Sequence, residues 1–167
     1  MRSKDFSKEC FYNALVDLMK EEDFDDIQIN EICHKAGFNR STFYRNFDSK
    51  MDILMSKFLV EAEKYQQLVN ESVDKSFIYK TTELFKLLRV SYHIFIQMRR
   101  AKLDQEMYQV FSLIYPIDDK LSFSPYAMTF KTAGVYMVIM KWMENGMVET
   151  DEEMALLLKN IINNCKV

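Results

Sequence analysis

Apolar residues recur three and four positions apart along most of the chain, in blocks separated by short polar breaks. That period lines side chains up on one face of a helix. Phe6, Cys10, Phe11, Ala14, Leu15, Leu18 and Met19 predict a first helix over Ser7 to Lys20. Ile29, Ile32, Cys33 and Ala36 predict a second, stopped at Gly37, where the chain must turn left-handed. Asn39 can cap a short third helix, with Phe43 and Phe47 facing inward and Phe38 plugging the gap before it. Ser49 and Asp52 form a capping-box pattern. It opens a long helix to Val69 through Ile53, Leu54, Phe58, Leu59, Ala62, Tyr65 and Leu68. About twenty residues at 1.5 Å each span roughly 30 Å.

Beyond a polar connector at 70–76, one helix is predicted from about Lys80 to Met98, and another from Leu103 to Tyr115. Pro116 ends the latter and a loop follows. Pro125 suits the first turn of the next helix, where a missing N–H costs nothing. Residues 126–145 are apolar nearly all round. One stripe is Phe130, Ala133, Gly134, Met137 and Lys141; the other is Met128, Val135, Ile139, Trp142 and Met143. Asn145-Gly146 stops this helix. Thr150 and Glu153 form a second capping box before Met154, Leu157, Leu158, Ile161, Ile162 and Cys165. The fold class is all-α.

Composition agrees: 167 residues hold only three Gly and two Pro, which favours long helices and few loops. Thirteen Phe, nine Tyr and twelve Met supply an aromatic, thioether-rich interior. Cys10, Cys33 and Cys165 are odd in number, far apart and on apolar stripes, as reduced buried thiols in a cytoplasm would be. No apolar run approaches a membrane span. A soluble, cytoplasmic protein is expected, with no membrane partner.

Charge changes the picture locally. The whole chain carries −3, but Lys35, Arg40, Arg45 and Lys50 against Asp48 make His34–Lys50 net +3. The preceding Glu21–Glu31 stretch is acidic. A short helix exposing Arg40, Ser41, Thr42, Tyr44, Arg45 and Asn46 after a tight turn is what a helix-turn-helix needs. Arginines and amides can reach base edges, while hydroxyls and lysines hold phosphates. An ordinary solvated helix face has the same composition.

At this stretch the chain resembles a known family. AGFNRSTFYRNFDSKMDIL, with Ala36-Gly37, Thr42-Phe43-Tyr44, Phe47, Lys50, Ile53 and Leu54, is similar to the DNA-binding signature of the tetracycline-repressor (TetR) regulators. Ala14, Leu15, Phe24 and Ile32 also sit where that pattern wants apolar residues. Gln28 departs from a usual Thr cap and Asn46 from a common His. The resemblance implies an N-terminal three-helix helix-turn-helix DNA-binding domain at 1–48 and a C-terminal helical dimerisation and ligand domain at 49–167. It implies a DNA-binding transcriptional regulator, a ligand-responsive repressor whose partner is a double-stranded DNA operator. Arg40 and Arg45 are the expected base-contacting residues, with Asn30, Asn39 and Ser41 beside them; Thr42, Tyr44, Asn46 and Lys50 are expected at phosphates. The alternative is a coactivator or protein-interaction module of the same fold that does not bind DNA directly.

A helix apolar on two faces must be covered on two sides. A two-fold four-helix bundle with a second copy would do so, as the resemblance also implies; packing within one chain is the alternative. Phe130, Gly134, Met137, Trp142, Met154, Leu157, Leu158 and Ile161 are the expected homodimer residues. Phe85, Tyr92, His93, Phe95, Met98, Met107, Tyr108, Phe111 and Tyr115 could enclose an apolar or aromatic small-molecule effector, or serve simply as core. His93 is expected in a core or pocket.

Glu31 and His34 have the Glu-x-x-His spacing of di-iron bundles, but a second copy of the motif is missing. There is no Gly-rich phosphate loop, nucleophile elbow or Cys-x-x-Cys. Neither an enzyme, a metal nor a cofactor is expected.

Overall fold

The computed structural model describes residues 3–115 and 124–164, with side chains from Phe6 onward. The stop at Pro116, most of the loop after it and Cys165 lie outside the described residues. Among those residues the fold is all-α, in nine helices: α1 Ser3–Leu18, α2 Ile29–Ala36, α3 Arg40–Tyr44, α4 Lys50–Glu71, α5 Phe77–Val90, α6 Tyr92–Arg100, α7 Asp104–Ile114, α8 Pro125–Glu144 and α9 Asp151–Asn164. No described helix is long and apolar enough to cross a membrane.

The caps follow the sequence closely. Gly37 takes φ 74° after α2, and the Phe38 N–H returns to the Cys33 carbonyl at 3.0 Å. At the start of α4 the Asp52 carboxylate accepts from the Ser49 N–H at 2.8 Å, and Ser49 Oγ accepts from the Asp52 N–H at 3.3 Å. The Thr150–Glu153 pair is reciprocal in the same way, at 2.8 and 3.2 Å. Ser124 caps α8, with Pro125 in the first turn.

One predicted helix is two. The run from Lys80 to Met98 breaks at Ser91, which ends α5 in a non-helical conformation (φ −93°, ψ 11°). Ser91 is buried, and its hydroxyl donates to Glu61 Oε2 at 3.0 Å. His93, expected in a core or pocket, is instead exposed; Ile94, Phe95 and Met98 are the buried positions of α6.

The chain divides into two compact units, residues 1–60 with 93–104 and residues 61–92 with 105–167. The division falls inside α4, whereas the sequence set a boundary at 48 and 49. In the first unit Phe11 is fully buried and meets three rings: Phe38 at 5.4 Å, Phe43 edge-on at 5.5 Å and Phe47 edge-on at 6.0 Å. Edge-to-face pairs at this spacing add to the stabilisation from burial alone. Phe58 and Phe95 make a further edge-on pair at 5.3 Å, seating α6 on the first half of α4.

In the second unit α5 packs on α9, and Phe85 meets Trp142 of α8 edge-on at 4.9 Å. Arg89 ties these elements together. Its guanidinium donates to Asp151 Oδ1 at 3.0 Å and to the carbonyls of Met147 and Glu149 at 2.9 Å each, and it lies 5.0 Å from the Trp142 ring centre. Trp142, Met154 and Leu158, expected at a dimer interface, are buried in this unit's own core. The second apolar stripe of α8, through Val135, Ile139 and Trp142, therefore faces inward. Phe130, Gly134 and Met137 of the first stripe are exposed, as are Leu157 and Ile161 of α9.

Candidate nucleic-acid interface

The first unit builds a rigid support under a short exposed helix. Phe43 of α3 is fully buried and Phe47 nearly so. Their anchoring leaves Arg40, Ser41, Tyr44 and Arg45 exposed on the other side. Asn39 caps α3 through Oδ1, which accepts from the Thr42 N–H, the Thr42 hydroxyl and the Ser41 hydroxyl, each at 2.9 Å. With that oxygen occupied, Asn39 has its amide NH2 to offer a base edge.

The arginines are pre-arranged along the helix. Arg40 donates to the Tyr44 hydroxyl at 3.2 Å and lies 5.7 Å from its ring centre. Arg45 donates to Thr42 Oγ1 at 3.0 Å. Each guanidinium has five N–H donors, so one such bond leaves most of the fork for a ligand. Asn30 is exposed in the first turn of α2, beside a start where Glu31 accepts the Gln28 N–H at 2.7 Å.

Two of the residues expected at phosphates are turned to internal tasks. Asn46 is half-buried; its amide donates to the Thr42 carbonyl at 2.8 Å and reaches Ser7 Oγ at 3.4 Å. Lys50 is half-buried too. Its ammonium donates to the carbonyls of Phe24, Asp25 and Ile27 at 2.5, 2.8 and 2.8 Å. A lysine has three N–H donors, so all three are engaged. The charge and position of Lys50 in the sequence do not reveal the carbonyls of a turn that lies 23 to 26 residues away.

The site is thus an exposed cationic and hydroxyl-bearing face on a short helix, following a left-handed glycine turn and a buried aromatic core. Residues 11–55 match the family model described as bacterial regulatory proteins, tetR family. That stretch is therefore similar to the DNA-binding part of the TetR family. The matched residues contain the face just described. The crystal structure of a TetR transcriptional regulator from Streptococcus agalactiae 2603V shares the fold, with TM-score 0.59, 17% identity and 96% of each chain covered. No curated protein matches the sequence significantly.

The residues expected around an effector fall in both units. Phe85, Tyr92, Met107, Tyr108 and Phe111 belong to the second unit, and His93, Phe95 and Met98 to the first. Phe85, Met107 and Phe111 are buried; Tyr108 meets Tyr136 at 5.3 Å and Phe111 stacks on Tyr115 at 5.2 Å, as core rings do. A cleft of about 180 Å³ in the second unit is instead lined by α4, α5 and the end of α7, including Tyr65, Val69, Phe77, Lys80, Thr81, Leu113 and Tyr115. Of the residues expected around an effector, Tyr115 alone lines this cleft. Thr81, polar and fully buried on α5, is among its lining residues.

Proposed function

We propose that the chain is a TetR-family transcriptional regulator, a homodimeric, ligand-responsive repressor that binds an operator through α3. The observation that carries the reading is the exposed face of Arg40, Ser41, Tyr44 and Arg45 over a buried Phe43. In a major groove Arg40 and Arg45 read base edges, worth about 1–3 kcal/mol each where a guanine is bound bidentately. Asn30, Asn39 and Ser41 assist, and Thr42 and Tyr44 hold phosphates. Residues 1–48 form the DNA-reading region and 49–167 the dimerisation and effector region, in a cytoplasmic protein.

The exposed stripes of α8 and α9 pair with those of a second copy. Phe130 and Met137 are 59% and 62% exposed, a large apolar surface to leave in water. The dimer sets two recognition helices against two half-sites one or more helical turns apart. Effector binding shifts the population toward a head spacing that no longer matches the operator, transmitted through α4. Such a ligand acts only through its differential affinity for the two states.

The test is selection of bound fragments from sheared DNA of the source genome, followed by sequencing. The expected result is enrichment of a roughly palindromic site. Absence of any enrichment at low salt contradicts direct DNA binding and favours a protein-interaction role for the same face.

A further inference from the structure

The cleft of the second unit has a chemistry of its own. Its walls are apolar and aromatic: Val69 and Tyr65 from α4, Phe77 from α5, Leu113 and Ile114 from α7, and Tyr115. At its buried end Thr81 and Tyr115, nearly inaccessible to solvent, share a hydroxyl–hydroxyl bond of 2.8 Å. Tyr65 donates to the Lys80 carbonyl at 3.3 Å. The phenol of Tyr115 is pushed up to about 12 by burial, tempered by the Thr81 bond. The hydroxyls are therefore neutral donors and acceptors at neutral pH.

One lining group is charged. Lys80 is half-buried, and its ammonium has no acidic partner among the described residues. Lys57, also half-buried, pairs with Glu9, and Lys50 gives its three donors to backbone carbonyls. A lysine lays its apolar stem along apolar walls while keeping its ammonium in water, and an anion beside it gains a charge-assisted hydrogen bond. At about 180 Å³ the cleft has room for roughly six waters at ~30 Å³ each, which suits a molecule of one ring.

We propose that this cleft binds a small aromatic monocarboxylate, its carboxylate on Lys80 and its ring between Val69, Phe77, Tyr65 and Leu113. The proposal rests on the effector reading of the second unit and names the ligand class of that reading. Asn70 and Gln66 also line the cleft, at exposed positions.

The experiment uses the full chain and two probes, benzoate and its neutral counterpart benzyl alcohol, in calorimetric titration and thermal melting. Benzoate should bind saturably and raise the melting temperature, and benzyl alcohol should bind about tenfold more weakly or worse. Lys80→Met keeps the stem and removes the charge, and should cost benzoate about tenfold while leaving benzyl alcohol unchanged; Lys80→Arg should restore binding. Leu113→Trp, at a position 78% exposed and so tolerant of bulk, should block both probes without loss of folding. Equal affinity for the two probes, an unchanged Lys80→Met variant, or no saturable benzoate binding up to about 10 mM overturns the proposal. DNA affinity of the ligand-free protein is measured separately. Benzoate binding that leaves DNA affinity unchanged keeps the site and defeats only its effector role.

Discussion

The ammonium of Lys50 sits 4.8 Å from the Phe24 ring centre and donates to the carbonyl of the same residue at 2.5 Å. With its bonds to the Asp25 and Ile27 carbonyls, it fastens the start of α4 to the turn that leads into α2. Phe24 is buried beneath it. The turn is acidic, with Asp23, Asp25 and Asp26 exposed around the backbone that Lys50 grips. Lys50 thus works as a positioning residue for the helix-turn-helix.

Lys50→Met tests this role. Hydrogen bonds from a charged donor contribute about 1.5–3 kcal/mol each where well formed, and the half-buried setting places the expected loss near 2 kcal/mol in total. Urea unfolding measures it. DNA affinity should fall only as the head loosens, with the salt dependence of binding preserved. A phosphate-holding lysine would instead lower the slope of log K against log salt by about 0.9.

The exposed stripe of α8 makes a second prediction. Phe130→Asp with Met137→Asp should leave monomer stability within about 0.5 kcal/mol, as surface changes do, and convert a dimer to monomers in sedimentation. Trp142→Ala, by contrast, empties a position 2% exposed and should cost about 3–5 kcal/mol of folding stability. If the double Asp variant sediments like the wild type, the stripe is not the interface.

Alkaline pH should unfold the second unit. Burial, then the neighbouring Tyr115, raises the Tyr65 phenol above its ordinary value of 10.0; burial raises Tyr115 to about 12. The folded chain keeps these protons where the unfolded chain releases them. Their contribution is therefore complete below pH 10 and is lost as pH rises from 10 through about 12. At 1.36 kcal/mol per pK unit, Tyr115 alone accounts for on the order of 2–3 kcal/mol. Tyr115→Phe should flatten the decline in urea-measured stability between about pH 9.5 and about pH 11.5.

Much of this was legible because it is local. Gly37, Asn39, the Ser49–Asp52 and Thr150–Glu153 pairs and Pro125 each act within four residues, and each lies where its chemistry predicts. The inward Phe43 and outward Arg40, Ser41 and Tyr44 follow from helical period alone. The misses come from distant partners. Nothing between Lys80 and Met98 announces the break at Ser91, whose hydroxyl reaches Glu61, 30 residues earlier. Lys102 ends α6 at φ 58° with no glycine to announce it. In α8 both stripes are apolar, so period shows two faces but cannot tell which one Phe85 and Arg89 will cover.

The central claim is that the α3 face binds DNA, and one titration tests it most directly. A recovered genomic fragment is titrated with wild-type protein and with Arg40→Ala/Tyr44→Ala at about 50 and about 200 mM salt. Arg40 and Tyr44 touch each other on an exposed face, so the double variant should fold normally. The expected result is binding by the wild type that weakens steeply with salt, and at least tenfold weaker binding by the variant at both salts. Equal affinity of the two proteins, or no fragment bound by the wild type at low salt, contradicts the account.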